Sequence, residues 1–365
     1  MKNSIGTSII FTLFGESHGE AIGFVLDGIT PGVEIDNEYI KLQLSKRSAK
    51  KNLSTDRLET DEYEFLSGVF NNKTTGTPIS CIIKNKNVND ADYDKTYGMA
   101  RPAHADFTQH VKYRGFEDYR GGGHFSGRLT APIVVAGSIC ELMLKQKNIL
   151  IGTHIKSLQD IKDSEFTDYK NDLELLSNKS IEVLDDKVLE VMKNKVESVK
   201  KDCDSMGGIA ETVVLNMPVG VGEPWFDNIE SMISHAVFSI PAVKGITFGS
   251  GFDFNDMLGS VANDKMRYEN GKVITTTNHN AGINGGISNG MPIIFDTVFK
   301  PTPSIFKEQE SIDFIKKENV NFTIKGRHDP CIILRATVVV SCMTALVISD
   351  LLAQRYGTDF IYKDF

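Results

Sequence analysis

The apolar run from Ala336 to Leu352 most constrains how this chain can fold. Thr337, Ser341, Thr344, Ser349 and Asp350 interrupt it, which suits a helix buried in protein rather than one crossing a bilayer. A helix that is apolar on most sides needs other elements packed around it. A second helix is expected over Pro132–Lys147, where Ile133, Ala136, Gly137, Cys140 and Leu144 share a face. Asn37–Lys50 reads as a third, capped by Asp36 or Asn37. Strand-like segments surround these helices. Two of them, within residues 8–27, flank a Gly-Glu-Ser-His-Gly loop, and Tyr63–Phe70 and Pro78–Lys84 join through the turn at 71–76. Others, punctuated by glycine, run from Gly207 to Lys300. Strands interrupted by isolated long helices predict a layered α+β architecture rather than a run of βαβ units. Residues 155–203 are rich in Lys, Asp and Glu, with Val188, Val191, Met192, Val196 and Val199 at helical spacing. They read as a mostly exposed helical insertion carrying little chemistry.

The chain has 365 residues and a net charge of -8. That balance argues against general nucleic-acid binding, which needs a basic face. Gly98–Arg128 runs the other way, with five Lys/Arg against three Asp/Glu and three His. A positive stretch in an acidic chain suits the focusing of an anion. The five cysteines are odd in number and form no C-x-x-C pair, so neither a disulfide framework nor a zinc site is expected. The first residues lack a run long enough for a signal peptide, and the expected compartment is the reducing cytoplasm.

Chemistry concentrates in a few short stretches. His18 follows Ser17 in a glycine-flanked loop, and His104 lies two residues before Asp106 behind a proline. Histidine passes protons near neutral pH, and a neighbouring hydroxyl or carboxylate can fix its tautomer. A lone histidine is more often structural than catalytic; the pairing makes the catalytic reading about even. Gly121–Gly123, beside Arg120, Arg128 and Thr130 and ahead of a helix, suggests an anion cradle, although it matches no nucleotide-binding pattern and a flexible turn is the competing reading. Lys46, Arg47, Lys50, Lys51 and Arg57 form either a solvated helix end or a mobile basic loop closing over an anion. Lys300-Pro-Thr-Pro-Ser304 could hold a phosphate or form a plain turn. Arg327, His328 and Asp329 lead straight into the apolar run Cys331–Leu334, an odd place for bare charges. Together these residues suggest an enzyme acting on a small polyanion with a flat cofactor.

In order, the segments FGESHG at 14–19, TTGTPI at 74–79, RPAHADFT at 101–108 and RGGG at 120–123 resemble signatures of the chorismate synthase family. So do DSMGG at 204–208, GVGEP at 220–224, AVKGITFGSGF at 242–252, NGGISNG at 284–290, KPTPSI at 300–305 and GRHDPC at 326–331. The resemblance covers nearly the whole chain apart from 155–200. It implies a single domain over 1–365, a βαβ layered sandwich of helices and antiparallel sheets, assembled as a homotetramer. It implies a lyase that eliminates phosphate from 5-enolpyruvylshikimate 3-phosphate to give chorismate, with reduced FMN required. NADPH on this protein or a separate flavin reductase would supply the reduced flavin.

By the same resemblance, His18, next to Ser17, protonates the departing phosphate. His104 manages a proton at reduced flavin, and Asp329 relays one, through Ser126 in one version. Arg47, Arg57, Arg101 and Arg128 hold substrate anions. His124, Phe125, Ser126, Ala242, Gly285, Lys300, Pro301, Thr302, Pro303, Ser304 and Arg327 fall where the family binds FMN. Three departures stand out. The usual Arg-Ser-Ser-Ala-Arg-Glu is here His124-Phe-Ser-Gly-Arg-Leu129, which puts flavin-phosphate and substrate contacts there in question. The usual Arg-Pro-Gly is Arg47-Ser-Ala-Lys50, and a usual glycine is Ala103. Two other classes compete: a flavin-dependent reductase, which would consume NAD(P)H stoichiometrically, and a phosphate- or nucleotide-sensing protein, which would give the loop histidines no task.

Overall fold

In the computed structural model, which describes residues 2–50, 53–54, 61–86, 97–324 and 329–365, two antiparallel sheets enclose a layer of helices. The first part of the chain supplies β1 (Ser4–Ile5), β2 (Ile10–Gly15), β3 (Ala21–Asp27), α1 (Asn37–Arg47), β4 (Tyr63–Ser67), β5 (Val69–Phe70), β6 (Lys73–Thr74) and β7 (Ile79–Lys84). Next come α2 (Asp106–Tyr113) and α3 (Thr130–Lys145), preceded by 3-10 turns at Arg120–Phe125 and Gly127–Leu129. Then follow β8 (Leu150–Leu158), β9 (Ile161–Lys162), α4 (Tyr169–Ser177), α5 (Asp186–Lys201), β10 (Gly208–Leu215), α6 (Ile229–Val237), β11 (Val243–Phe248) and α7 (Gly259–Ala262). The rest holds β12 (Met266–Glu269), β13 (Lys272–Thr275), β14 (Ile283–Asn284), β15 (Ile287–Ser288), β16 (Ile293–Phe299), β17 (Glu308–Asp313), β18 (Glu318–Thr323) and α8 (Ile333–Tyr356).

The first sheet has the order β1-β2-β3-β7-β4 and the second β11-β16-β10-β8-β9. Period-two burial sets their faces. Ile79, Cys81 and Ile83 of β7 point to the core, as do Ile293, Phe295, Thr297 and Phe299 of β16. Asn71 and Asn72, both at positive φ, make the two-residue turn between β5 and β6 that asparagine tolerates. Asp36 caps α1 by accepting from the Tyr39 N–H at 3.0 Å.

α3 lies on the first sheet, α8 on the second, and the two helices pack on each other. Gly137 makes that contact possible: a Cβ there would sit 2.3 Å from Cys342 Cβ and 2.4 Å from the Cys342 carbonyl oxygen. Two helical stretches, Gly127–Lys145 and Ile333–Tyr356, are long and apolar enough to cross a bilayer, and both are buried within the fold. Asp350 has a specific reason to be inside. Its carboxylate accepts from the backbone N–H groups of Thr7, Ser8 and Ile9 at 2.7–3.1 Å, pinning the β1–β2 connection to α8.

The charged stretch 155–203 differs from the helical insertion expected. Residues 155–158 belong to β8, paired with β10 in the second sheet. The charges that disguise this strand have partners from distant segments. His154 Nδ1 lies 2.7 Å from Asp163 Oδ2, and Lys156 Nζ lies 2.8 Å from both Glu211 and Asp296. Helix is confined to α4 and α5. On α5 the stripe narrows to Met192 and Val196, which are fully buried, while Val191 is half exposed.

Replacing Gly137 by Val is expected to lower stability by roughly 2 kcal/mol or more, because no rotamer avoids Cys342. Urea unfolding checks this; an unchanged midpoint would mean the helices can part.

Candidate functional site

The loop between β2 and β3 carries Ser17 and His18, both buried. Its shape is fixed from outside. The Ser17 N–H donates to the Gly123 carbonyl at 3.1 Å, and Asn85 Nδ2 donates to the carbonyls of Glu16 and Gly19 at 3.0 and 2.8 Å. His124 Nδ1 donates to the Gly15 carbonyl at 2.8 Å.

The three glycines after Arg120 form an ordered strip against both histidines, and Gly121 lines the cleft, rather than the flexible turn of the competing reading. They run at positive φ between the two histidine loops. A Cβ on Gly121 would lie 2.1 Å from His18 Cε1, and one on Gly122 would lie 3.4 Å from His104 Cε1. One on Gly123 would lie 2.0 Å from the Asp118 carbonyl oxygen. This backbone is a strip that both imidazoles approach, and at Gly121 the closeness of His18 leaves no room for a Cβ.

His104 stands just ahead of α2, a helix the sequence pattern did not reveal. Its Nδ1 lies 2.8 Å from Asp106 Oδ1, an acceptor, so Nδ1 carries the hydrogen. Arg101 grips the same carboxylate with Nε at 2.8 Å and Nη2 at 2.7 Å. Burial pushes the Asp106 carboxyl up, but the hydrogen bonds from Arg101 and His104 outweigh it and hold it well below the usual value. Ala103 takes φ +57°, where a Cβ costs about 1–2 kcal/mol. Lys300 Nζ donates to the Ala103 carbonyl at 2.6 Å.

Arg47, from the end of α1, and Arg128, from the turn before α3, converge on Asp61. Arg47 Nη2 lies 2.9 Å from Asp61 Oδ2, and Arg128 Nη1 contacts Asp61 Oδ1. Burial raises the Asp61 carboxyl, and the two guanidiniums overcome that and lower it. Arg128 Nε also donates to Asn85 Oδ1 at 3.2 Å. The helix-end part of the basic group is therefore not the solvated one that one reading of it expects. Lys46 and Arg47 are buried, and Lys46 pairs with Glu182 at 2.8 Å. Burial lowers the Lys50 ammonium to about 8. Lys51, Arg57 and Arg327 lie outside the described residues.

Asp329 is buried, with Oδ1 accepting from the Cys331 N–H at 3.2 Å and Oδ2 paired with Arg335 Nη1 at 3.0 Å. Burial raises its carboxyl despite the opposing pull of Arg335. Arg335 Nε donates to the Arg47 carbonyl at 2.7 Å. Ser126 Oγ accepts from the Arg128 N–H at 3.3 Å.

These groups line one cleft of about 1480 Å³. His18, His104, Arg47, Arg101, Arg128 and Asp329 share it with His124, Phe125, Ser126, Ala242, Lys300, Thr302, Pro303 and Ser304. Phe314, Phe322 and Ile324, in and just after the β17–β18 hairpin, add an apolar wall. Ser17 sits behind the lining, and Pro301 lies outside it. Gly285 is elsewhere, in the β14–β15 turn at φ +63°, beside Trp225 and Phe226 in a shallow depression. Sequence reading missed Asp61 and Arg335. Asp61 gives no local signal, whereas Arg335, a lone cation entering an apolar helix, was a usable one.

A family model described as chorismate synthase matches residues 9–353. Chorismate synthase of Thermococcus kodakarensis is 41% identical over 350 residues, covering 96% of this chain and 97% of that one. That of Lachnoclostridium phytofermentans is 44% identical over 363 residues, covering 99% and 97%. A crystal structure of chorismate synthase superposes with a TM-score of 0.74 at 27% identity, covering 97% of this chain and 94% of its own. The chain belongs to the chorismate synthase family, carbon–oxygen lyases of the shikimate pathway that release phosphate from 5-enolpyruvylshikimate 3-phosphate to give chorismate.

Proposed function

We propose that this elimination takes place in the cleft between His18 and His104, with substrate and reduced FMN bound side by side. The observation that carries the reading is the glycine strip that brings both imidazoles to one cavity lined with arginines. A volume of about 1480 Å³ exceeds what one small ligand needs. The donor set also suits a flavin nucleotide. Thr302 Oγ1 is buried with no hydrogen-bond partner among the described residues, beside the cation of Lys300 and the hydroxyl of Ser304. Phe125, Ser126, Ala242, Lys300 and Thr302–Ser304 would hold FMN, joined by Arg327. When bound, reduced FMN supplies electron density that eases loss of the allylic phosphate and accepts the C6 hydrogen.

The chain's own residues do the rest. Arg47, Arg101 and Arg128, with Arg57, hold the substrate's carboxylates and phosphate and stabilise charge growing on the leaving group. His18 donates a proton to the departing phosphate. His104, with its Nδ1 hydrogen committed to Asp106, keeps Nε2 as its proton-exchange atom. Burial raises the Asp329 carboxyl, which makes it a readier proton carrier than an exposed carboxylate. The wall of Phe314, Phe322 and Ile324 limits water. Ser17 backs His18.

The protein works as a cytoplasmic homotetramer of single-domain subunits. Strongly exposed Trp225, Phe226 and Phe252 support self-association, and free cysteines accord with a reducing compartment. Reduced FMN is delivered by NADPH on this protein or by a separate flavin reductase.

Mixing the protein anaerobically with chemically reduced FMN and 5-enolpyruvylshikimate 3-phosphate is expected to release chorismate and phosphate in equal amounts, leaving the flavin reduced. Flavin oxidised in step with product would sink the lyase reading. His18→Ala is expected to lower kcat by roughly 10²-fold or more while substrate still binds. Full turnover in that variant would remove His18 from the chemistry.

A further inference from the structure

We propose that Asp61 is a positioning residue for the elimination, its carboxylate bridging Arg47 and Arg128 so that both guanidiniums are held at the anion end of the cleft. This rests on the reading above that these two arginines grip the substrate.

Asp61 brings together three separate chain segments: the end of α1, the approach to β4 and the turn before α3. Each carboxylate oxygen takes a different guanidinium, Oδ2 from Arg47 and Oδ1 from Arg128. The three side chains are only 3–6% exposed. Two arginines this close in a buried place repel and splay apart unless an anion lies between them. The bridge removes that repulsion, fixes both planes, and leaves the group with one net positive charge facing the cleft. Arg128 then extends the frame through Asn85, whose amide holds the Glu16 and Gly19 carbonyls on either side of Ser17 and His18. Asp61 thus sets where the substrate's anion is gripped relative to the imidazole beside it. The opposite idea, that Asp61 occupies a substrate anion's place and is displaced by it, fits poorly with a carboxylate 3% exposed and held on both oxygens.

The test compares the whole enzyme with Asp61→Asn and Asp61→Glu, anaerobically with reduced FMN. Asp61→Asn is expected to raise the substrate KM at least ten-fold, with a smaller fall in kcat. Asp61→Glu, which keeps the charge, is expected to recover part of the loss. Inorganic phosphate binding by calorimetry, without flavin, is expected to weaken in parallel in Asp61→Asn. An unchanged KM overturns the proposal, and a lowered KM or tighter phosphate binding overturns it in favour of displacement. If wild-type protein makes no chorismate, the functional reading has failed, and phosphate binding alone then decides for or against Asp61. Should Asp61→Asn not fold, Asp61→Glu carries the test: its lengthened carboxylate must raise KM, and a wild-type value overturns the idea.

Discussion

The contact of α3 with α8 at Gly137 and Cys342 is the constraint on which the rest of the molecule depends. One helix carries the first sheet and the other the second, so their separation sets the distance between the sheets. It also sets the cleft. Arg128 immediately precedes α3, and Asp329 and Arg335 flank the start of α8. The first two turns of these helices contribute Thr130, Ile133, Ala336 and Val339 to the lining. Two helix N-termini therefore face the same cavity, and their dipoles add positive potential where a polyanion must be held.

That potential is not built from bare cations. Arg47 and Arg128 share Asp61, Arg101 grips Asp106, and Arg335 pairs with Asp329. Burying a lone guanidinium is costly; burying it against a carboxylate costs less and fixes its direction. The cleft gains aim at the expense of raw charge. Its carboxylates divide into two kinds. Asp61 and Asp106 lie among cations strong enough to keep them ionised, whereas Asp329 has burial as the dominant influence and is raised. Divergent environments of this sort separate structural anions from proton carriers.

Much of this could be read along the chain, because much of it is local. The β2–β3 strands with their histidine loop, the Asp36-capped helix and the apolar C-terminal helix all carry their signals within a few residues. What escaped was set at long range. Asp61 has its partners 14 and 67 residues away, at Arg47 and Arg128, and no periodicity announces such a meeting. The glycines at 121–123 give no sign along the chain that His18 and His104 lie against them. Residues 155–158 read as surface because Lys156 opens a stretch rich in Lys, Asp and Glu, and Glu211 and Asp296 explain its charge on a sheet strand. Helix α2 escaped because its eight residues bury just Gln109.

The clasp of Asp350 on the early backbone has a bearing on how the protein comes into being. Thr7 and Asp350 are separated by 343 positions, so the clasp forms only after the whole stretch between them has been made. The helix that bears Asp350 packs on α3 and on the second sheet, and until it emerges that sheet lacks its cover. A growing chain can pair β2 with β3 early, since they are neighbours, but it must hold that hairpin with its apolar face uncovered. Closure is late, non-local and expensive in chain entropy, which favours slow folding and a need for protection during synthesis. The histidine loop, carried on that hairpin, takes its setting earlier, once Asn85, Gly123 and His124 are in place.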